Sequence, residues 1–308
     1  MGKYLLRRIL QMIPVVIGST LLIYALVFLL PGDPVVAIFK GKPAQPQVVA
    51  QIKADYNLDK PFIIQYLLFL KNALTFNFGK TFSGQLVSDV IGRAFPNTVK
   101  LALMAFVFEA IFGVVFGVLS GMNKGRWYDS VILVLSLLLI SVPTFVTGFL
   151  LQYVFGVQLA WLPVTASADP GFIDLLMPAM VLGSVSMASI IRLTRSEISA
   201  NKYMDYVRTA RAKGMSNRSV TMRHIIRNSM ITVVTYLGAD IGALMGGAMV
   251  TERIFNINGI GNVTYQAIVR GEAPLVVSVV TLMVLIFVVC NLLVDLLYVV
   301  LDPRIRYE

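Results

Sequence analysis

The sequence predicts an all-α membrane protein of six transmembrane helices, with an extracellular insertion after the first helix. Three observations carry this prediction. Hydrophobic residues make up 57% of the 308 and charged residues only 14%, and a mean hydropathy of +0.79 lies outside the soluble range. Six apolar runs are long enough to cross a bilayer, which takes about 20 residues. The Lys and Arg residues lie mainly beside those runs, so the net charge of +10 reads as topology against an anionic leaflet, not as a nucleic-acid surface.

The first run, 9–30, follows Lys3, Arg7 and Arg8. It is too long for the core of a signal peptide, and no small-residue cleavage site follows it, so it is expected to remain as a helix. It ends at PGDP, 31–34, where two prolines and a glycine stop regular structure. Residues 31–97 form the one long mixed segment and are expected as the insertion, with helices near 47–56 and 61–74. Its FGKT at 78–81 is not a phosphate loop, because Leu74 stands where the first glycine of that loop is required.

Five further runs follow at 101–120, 131–160, 175–191, 229–250 and 275–301. The run 131–160 contains Pro143, which predicts a kink or a partial re-entry before Trp161. The chain thus divides into a tail and first helix (1–30), the insertion (31–97) and a five-helix core (98–308) that includes a cytoplasmic loop at 193–228. Basic residues orient it. Three precede the first helix, two lie in 121–128, nine in 192–227 and two in the tail, against none in 161–172 and two in 251–274. Both termini and the basic loop are therefore expected in the cytoplasm. The seven cations of 35–97 count weakly, because long segments translocate regardless of charge.

Glu109, Asp240 and Asp295 fall inside apolar runs, where a carboxyl group needs a partner or a wet cavity. Each is a candidate for the translocation path or for a buried network. Glu109 shares a helical stripe with Gly113, Gly117 and Gly121, which predicts close packing on another helix. Gly238, Gly242 and Gly246 form a second small-residue face, with Asp240 on the opposite side. Asn291, Asp295, Tyr298 and Asp302 make a polar stripe along the last run, read as a satisfied network. Cys290 lies alone in an apolar run and supports neither an intrachain disulfide nor a cysteine-based metal cluster.

No H-E-x-x-H, G-x-S-x-G, Walker A or EF-hand pattern occurs, and His224 is the sole histidine. No catalytic residue and no metal site is expected. The stretch 203–227 reads instead as a docking knob: small Thr209, Ala210 and Ala212 alternate with Arg208, Arg211 and Lys213, and Gly214 then breaks the helix. A self-sufficient proton-coupled carrier using Glu109, Asp240 and Asp295 is the rival reading. The two halves of the chain differ visibly, which weighs against the repeat architecture common in such carriers.

The string YVRTARAKGMSNRSVTMRHIIRNSM at 206–230 closely resembles the cytoplasmic loop of permeases of dipeptide and oligopeptide ABC importers. LPGDP at 30–34, NFGKTF at 77–82, FPNTVKL at 95–101, ERIFNINGIG at 252–261 and DLLYVVLDPRIRY at 295–307 extend the likeness along the chain, to the B-type permease subunit. Two departures stand out: Asn258 where that group usually has proline before the glycine turn, and Asn228 where proline is frequent. The resemblance implies a type I ABC importer permease fold in the bacterial plasma membrane. It implies as partners a second, C-type permease, two ATP-binding subunits and an extracellular peptide-binding protein. ATP and Mg would be held by the ATP-binding subunits, so no cofactor is expected on this chain. Arg208, Thr209, Ala210, Arg211, Ala212, Lys213 and Gly214 are implied as the ATPase-coupling segment. Oligopeptides, dipeptides, glutathione or nickel complexes are the implied substrates.

Overall fold

A computed structural model describes residues 2–29, 35 and 46–301. The LPGDP motif, Asp302 and the tail lie outside the described residues, as do the side chains of Asp295 and Tyr298. Regular structure among the described residues is helical, apart from one isolated bridge between Lys80 and Leu86.

Helix α1 (Gly2–Phe28) is followed by α2 (Pro46–Asp55) and α3 (Phe62–Leu74) in the insertion. Then come α4 (Val87–Met122) and the pair α5 (Trp127–Ser141) and α6 (Thr144–Leu151). Helix α6 continues into a π-helical segment at Gln152–Gln158. Helix α7 (Phe172–Asn201) leads to the short α8 (Asp205–Ala212). Helix α9 (Asn217–Val220), a π-helical stretch Thr221–Ile226 and α10 (Arg227–Ile254) follow in one run. Helices α11 (Ile260–Arg270) and α12 (Ala273–Leu301) complete the described chain. Five of these helices are long and apolar enough to span a membrane, or six if α5 and α6 count as one bent span.

The structure departs from the sequence reading at helix ends. Helix α4 starts at Val87, within the segment expected to belong to the insertion, and runs through Pro96. Helix α7 continues past its apolar run to Asn201. Hydropathy marks the part of a helix that sits in hydrocarbon, whereas helix propensity and packing decide where it stops. The run 131–160 breaks at Pro143, which precedes α6, and its halves bend by 104°. The loop expected at 251–274 contains α11, an amphipathic helix ending at Gly271 with φ +70°.

The centre of the molecule is the contact between α4 and α7. A Cβ placed on Gly113, Gly117 or Gly121 would come within 2.7, 2.4 and 2.7 Å of Ile190, Thr194 and Ile198, respectively. A Cβ on Gly183 of α7 would meet the Ala105 carbonyl at 2.8 Å. Side chains of one helix therefore rest directly on the backbone of the other, as small-residue stripes allow. Leu101, Ala102, Ala105, Leu175, Ala179 and Val181 extend this seam into the main core. Gly238 and Gly242 pack less closely on α12, where a Cβ would lie 3.4 Å from Val294 and 3.0 Å from Phe287.

This packing separates two glycines of the same helix. Gly117→Ala is expected to destabilise the protein by ~1–3 kcal/mol through overpacking. Gly92→Ala, where a new Cβ meets nothing within 4 Å, should be neutral or stabilising by up to ~1 kcal/mol. Thermal unfolding of the two purified variants reads the difference.

Candidate functional site

The basic loop is a short helix standing on a small apolar cluster. Val207 and Ala210 of α8 are buried with Ile198, Val220 and Ile225, and Val118, Met122, Met215 and Ile226 pack around them. Burial of positions 207 and 210, one helical step apart, turns the other face outward. Arg208, Thr209, Arg211, Ala212, Lys213 and Gly214 are all exposed. The structure thus brings together the seven residues expected of the docking segment, six at the surface and Ala210 in the base. Among the described residues Arg208 makes an exposed ion pair with Asp205 at 3.6 Å, worth little in water.

Gly214 closes the helix. Its φ of +78° is left-handed, its N–H donates to the Arg211 carbonyl at 2.9 Å, and the N–H of Met215 reaches the Ala210 carbonyl at 3.3 Å. These two bonds are the Schellman pattern for a helix C-terminus, accompanied by the Met215 contact below. A Cβ at Gly214 would meet nothing within 4 Å. Glycine is needed there for the backbone conformation, not for room within the chain.

Polar contacts clamp the base of this knob to the helix bundle. Lys202 Nζ donates to the Met122 carbonyl at 2.9 Å, satisfying the C-terminal end of α4. Asn201 Nδ2 donates to Ser229 Oγ at 3.1 Å, and Tyr206 hydrogen-bonds to Asn201. Asp129, buried in the first turn of α5, accepts from Arg195 Nε at 2.7 Å, Arg195 Nη2 at 2.9 Å and the Gly125 N–H at 2.8 Å, with Ser120 as a fourth partner. A bidentate guanidinium–carboxylate pair of this kind fixes orientation as well as distance. It ties α4, α5 and α7 together shortly before α7 ends at Asn201 and α8 begins. Sequence reasoning missed this pair, because its partners are 66 residues apart and no local spacing announces it.

A second polar centre lies at the other end of α10. Glu252 is fully buried; it accepts from Thr98 Oγ1 at 2.6 Å and from the Asn262 N–H at 2.9 Å. Thr98 Oγ1 in turn accepts from the Ile260 N–H at 2.8 Å. Asn97 Nδ2 donates to the Asn258 carbonyl at 3.0 Å, and Asn262 Nδ2 donates to the Ile257 carbonyl at 2.9 Å. The carboxylate thus serves the first N–H groups of α11 while binding α4 to α10. A Cβ on Gly259 would lie 2.3 Å from the Glu252 carboxyl group, and one on Gly261 would lie 2.4 Å from Met249 Cα. FPNTVKL and ERIFNINGIG, which lie far apart in sequence, are therefore two halves of one contact. Asn258 contributes its carbonyl, which proline would also offer, so this departure leaves the contact intact.

Of the three membrane carboxyl groups singled out as candidates for the translocation path or a buried network, two meet. Glu109 of α4 is fully buried and faces Asp240 of α10, with Tyr236 beside them. Among the described residues no donor reaches Glu109 Oε1, Glu109 Oε2 or Asp240 Oδ2. Asp295 lies on α12 with its side chain outside the described set. The polar stripe expected on that helix is represented by Asn291, whose Nδ2 donates to the Phe287 carbonyl of its own helix at 2.9 Å.

Comparison with known proteins matches residues 113–307 to the binding-protein-dependent transport system inner membrane component family, and residues 1–102 to the N-terminal unit of such membrane components. The chain belongs to this family. As an ABC permease component it is 37% identical over 317 residues to a peptide transport system permease protein of Brucella abortus. It is 33% identical over 334 residues to the dipeptide transport system permease protein of Alkalihalophilus pseudofirmus. It is 36% identical over 309 residues to the glutathione transport system permease protein of Salmonella choleraesuis. In each case all of both chains is covered. A crystal structure of an amino acid ABC transporter, solved with histidines, matches 68% of this permease and 94% of its own chain, with a TM-score of 0.55 at 15% identity. The fold is that of a type I ABC permease, in a multi-pass membrane protein.

The clamp at the base of α8 gives a direct expectation. Arg195→Met strands the buried Asp129 carboxylate and should cost about 3–5 kcal/mol, whereas adding Asp129→Leu should restore most of the loss. Unfolding midpoints of the single and double variants check this. A double variant no better than the single would mean that the pair does not act as a unit.

Proposed function

We propose that this chain is one permease subunit of an ATP-driven importer of short peptides or peptide-like solutes, forming half of the translocation path. The observation that carries the proposal is α8: a helix with an outward cationic face, closed by a glycine cap and clamped to the long helices behind it. Such an element fits a cleft on a partner, and Arg208, Arg211 and Lys213 suit an acidic rim. Arg208, Thr209, Ala210, Arg211, Ala212, Lys213 and Gly214 are the ATPase-coupling segment in this reading. Ala210 holds the base and the other six meet the partner.

The relatives named for peptides, dipeptides and glutathione support a small amide-bearing substrate. The partners are a second, C-type permease, two ATP-binding subunits that hold ATP and Mg, and an extracellular binding protein that delivers the solute. The chain sits in the bacterial inner membrane, and the bias of its short loops places both termini and α8 in the cytoplasm. Hydrolysis belongs to the partners. ATP binding closes the ATPase pair, α8 follows as a docked lever, and the permease helices rock between inward- and outward-open states. Glu109 and Asp240 belong to a buried network that joins α4 to α10, the helix continuous with the second half of the basic loop.

Gly214 supplies the test. Gly214→Val forces a side chain into a left-handed position at a cost of ~1–2 kcal/mol, equivalent to a shift of roughly five- to thirtyfold in the correctly capped population. With the complete complex in vesicles, peptide uptake should fall by up to that factor while ATP hydrolysis persists and the chain stays in the membrane. Unchanged uptake would overturn the coupling role. Uptake driven by a pH gradient without ATP would instead show a proton-coupled carrier.

A further inference from the structure

We propose that α3 of the insertion lies in the bilayer interface, with Ile63, Ile64 and Leu67 against lipid acyl chains. The insertion would then be partly a membrane element, where the sequence predicts an extracellular segment.

Helix α3 is apolar on its inner and outer faces, while Gln65 and Asn72 lie on a flank that lines a cavity with Tyr56 and Asn57. Phe62, Tyr66, Phe69 and Leu70 pack on Leu21, Tyr24 and Val27 of α1 and on Val277 of α12. The opposite side presents Ile63 at 60% and Leu67 at 56% exposure, with Ile64 between them. A helix whose outer face as well as its packed face is apolar needs protein or lipid on that outer face, and a solvent-facing helix would carry a polar outer side. Lys71 is the one charged residue in α3 and stands in its last turn, where a long side chain can carry its ammonium group toward water.

Depth identifies what lies against that outer face. Tyr66 Oη donates to the Ile17 carbonyl at 3.0 Å and lies 2.9 Å from Thr20 Oγ1, both well inside the span of α1. The Tyr24 ring touches the rings of Phe62 and Phe69, with centroids 5.7 and 5.3 Å apart, so α3 is centred on Tyr24. Tyr24 lies four residues before the end of α1 at Phe28, and Val277 lies four residues after the start of α12 at Ala273. At 1.5 Å per residue the centre of α3 is about 6 Å below the ends of both spanning helices. Interfacial helices bury their apolar face by about 5–10 Å. At 13 residues, α3 is too short to cross the roughly 30 Å core, and its exposed apolar outer face sets it apart from a buried core helix. At the same level along α1, on another of its faces, Leu22, Leu26 and Leu29 are exposed large hydrophobics. The inference adds to the proposed function and requires only that α1 and α12 cross the bilayer.

The experiment uses the full chain with its co-purifying subunits in vesicles containing nitroxide-labelled lipid, on a Cys290→Ser background. A fluorophore is attached in turn at Leu67→Cys, Leu22→Cys and Lys60→Cys. The probe at 67 should be quenched within about twofold of the probe at 22, and its cysteine should react with a membrane-impermeant maleimide roughly tenfold more slowly than the one at 60. Reaction as fast as at 60 would place α3 in water and overturn the proposal. Protection from both lipid quencher and maleimide would overturn it as well, showing a protein partner on that face.

Discussion

The close approach of α4 and α7 is the constraint on which the rest of the molecule depends. Lipid tails are as apolar as leucine, so burial of hydrocarbon surface cannot hold two membrane helices together, and dispersion contacts must. Removing the Cβ at Gly113, Gly117 and Gly121 lets Ile190, Thr194 and Ile198 settle onto bare backbone. The seam runs for several turns and behaves as one stiff body, because packed interiors resist deformation. At one end it delivers Ile198 to the cluster beneath α8. Toward the other it continues through Ala105 and Leu101 to Thr98, which binds Glu252.

A rigid pair with a polar centre at each end is what a transport component needs if force enters at one side and the path opens at the other. Arg195, Asp129, Lys202 and Asn201 hold the basic knob to the pair, and Glu252, Thr98, Asn97 and Asn262 hold α10 and α11 to it. Both centres are hydrogen-bonded at most of their positions, so each has a defined geometry and a high cost of partial disruption. Glu109 of α4 and Asp240 of α10 are the exception, two facing carboxyl groups without another donor among the described residues, midway along α4. They lie where α10 packs against α4.

Much of this was legible in the sequence, for reasons that differ by element. The spans were readable because about 20 apolar residues have few other uses, and the glycine stripe of α4 was readable because its spacing of four is a helical period. The knob at 208–214 was readable from alternating size and charge and from the glycine cap. Helix ends were not, since Val87 and Asn201 lie beyond the hydropathy signal. Helix α11 was hidden inside a polar stretch, although the apolar spacing of Ile260, Val263 and Ala267 and the Gly271 stop were present to be read. Long-range pairs such as Asp129–Arg195 and Thr98–Glu252 have no local signature. Nor does the chain between 31 and 97 announce that its apolar helix lies along α1, because a 13-residue apolar segment reads equally as a buried core helix.

Site-directed cross-linking from α8 tests the central claim most directly. A cysteine at Arg211, on a Cys290→Ser background, is placed on the outward face of α8 in the complex assembled with its native partners. The account predicts a cross-linked adduct with an ATP-binding subunit, at a yield that changes when ATP is added. A cysteine at Arg211 that stays freely reactive in the assembled complex, or that joins no ATP-binding subunit, would contradict it.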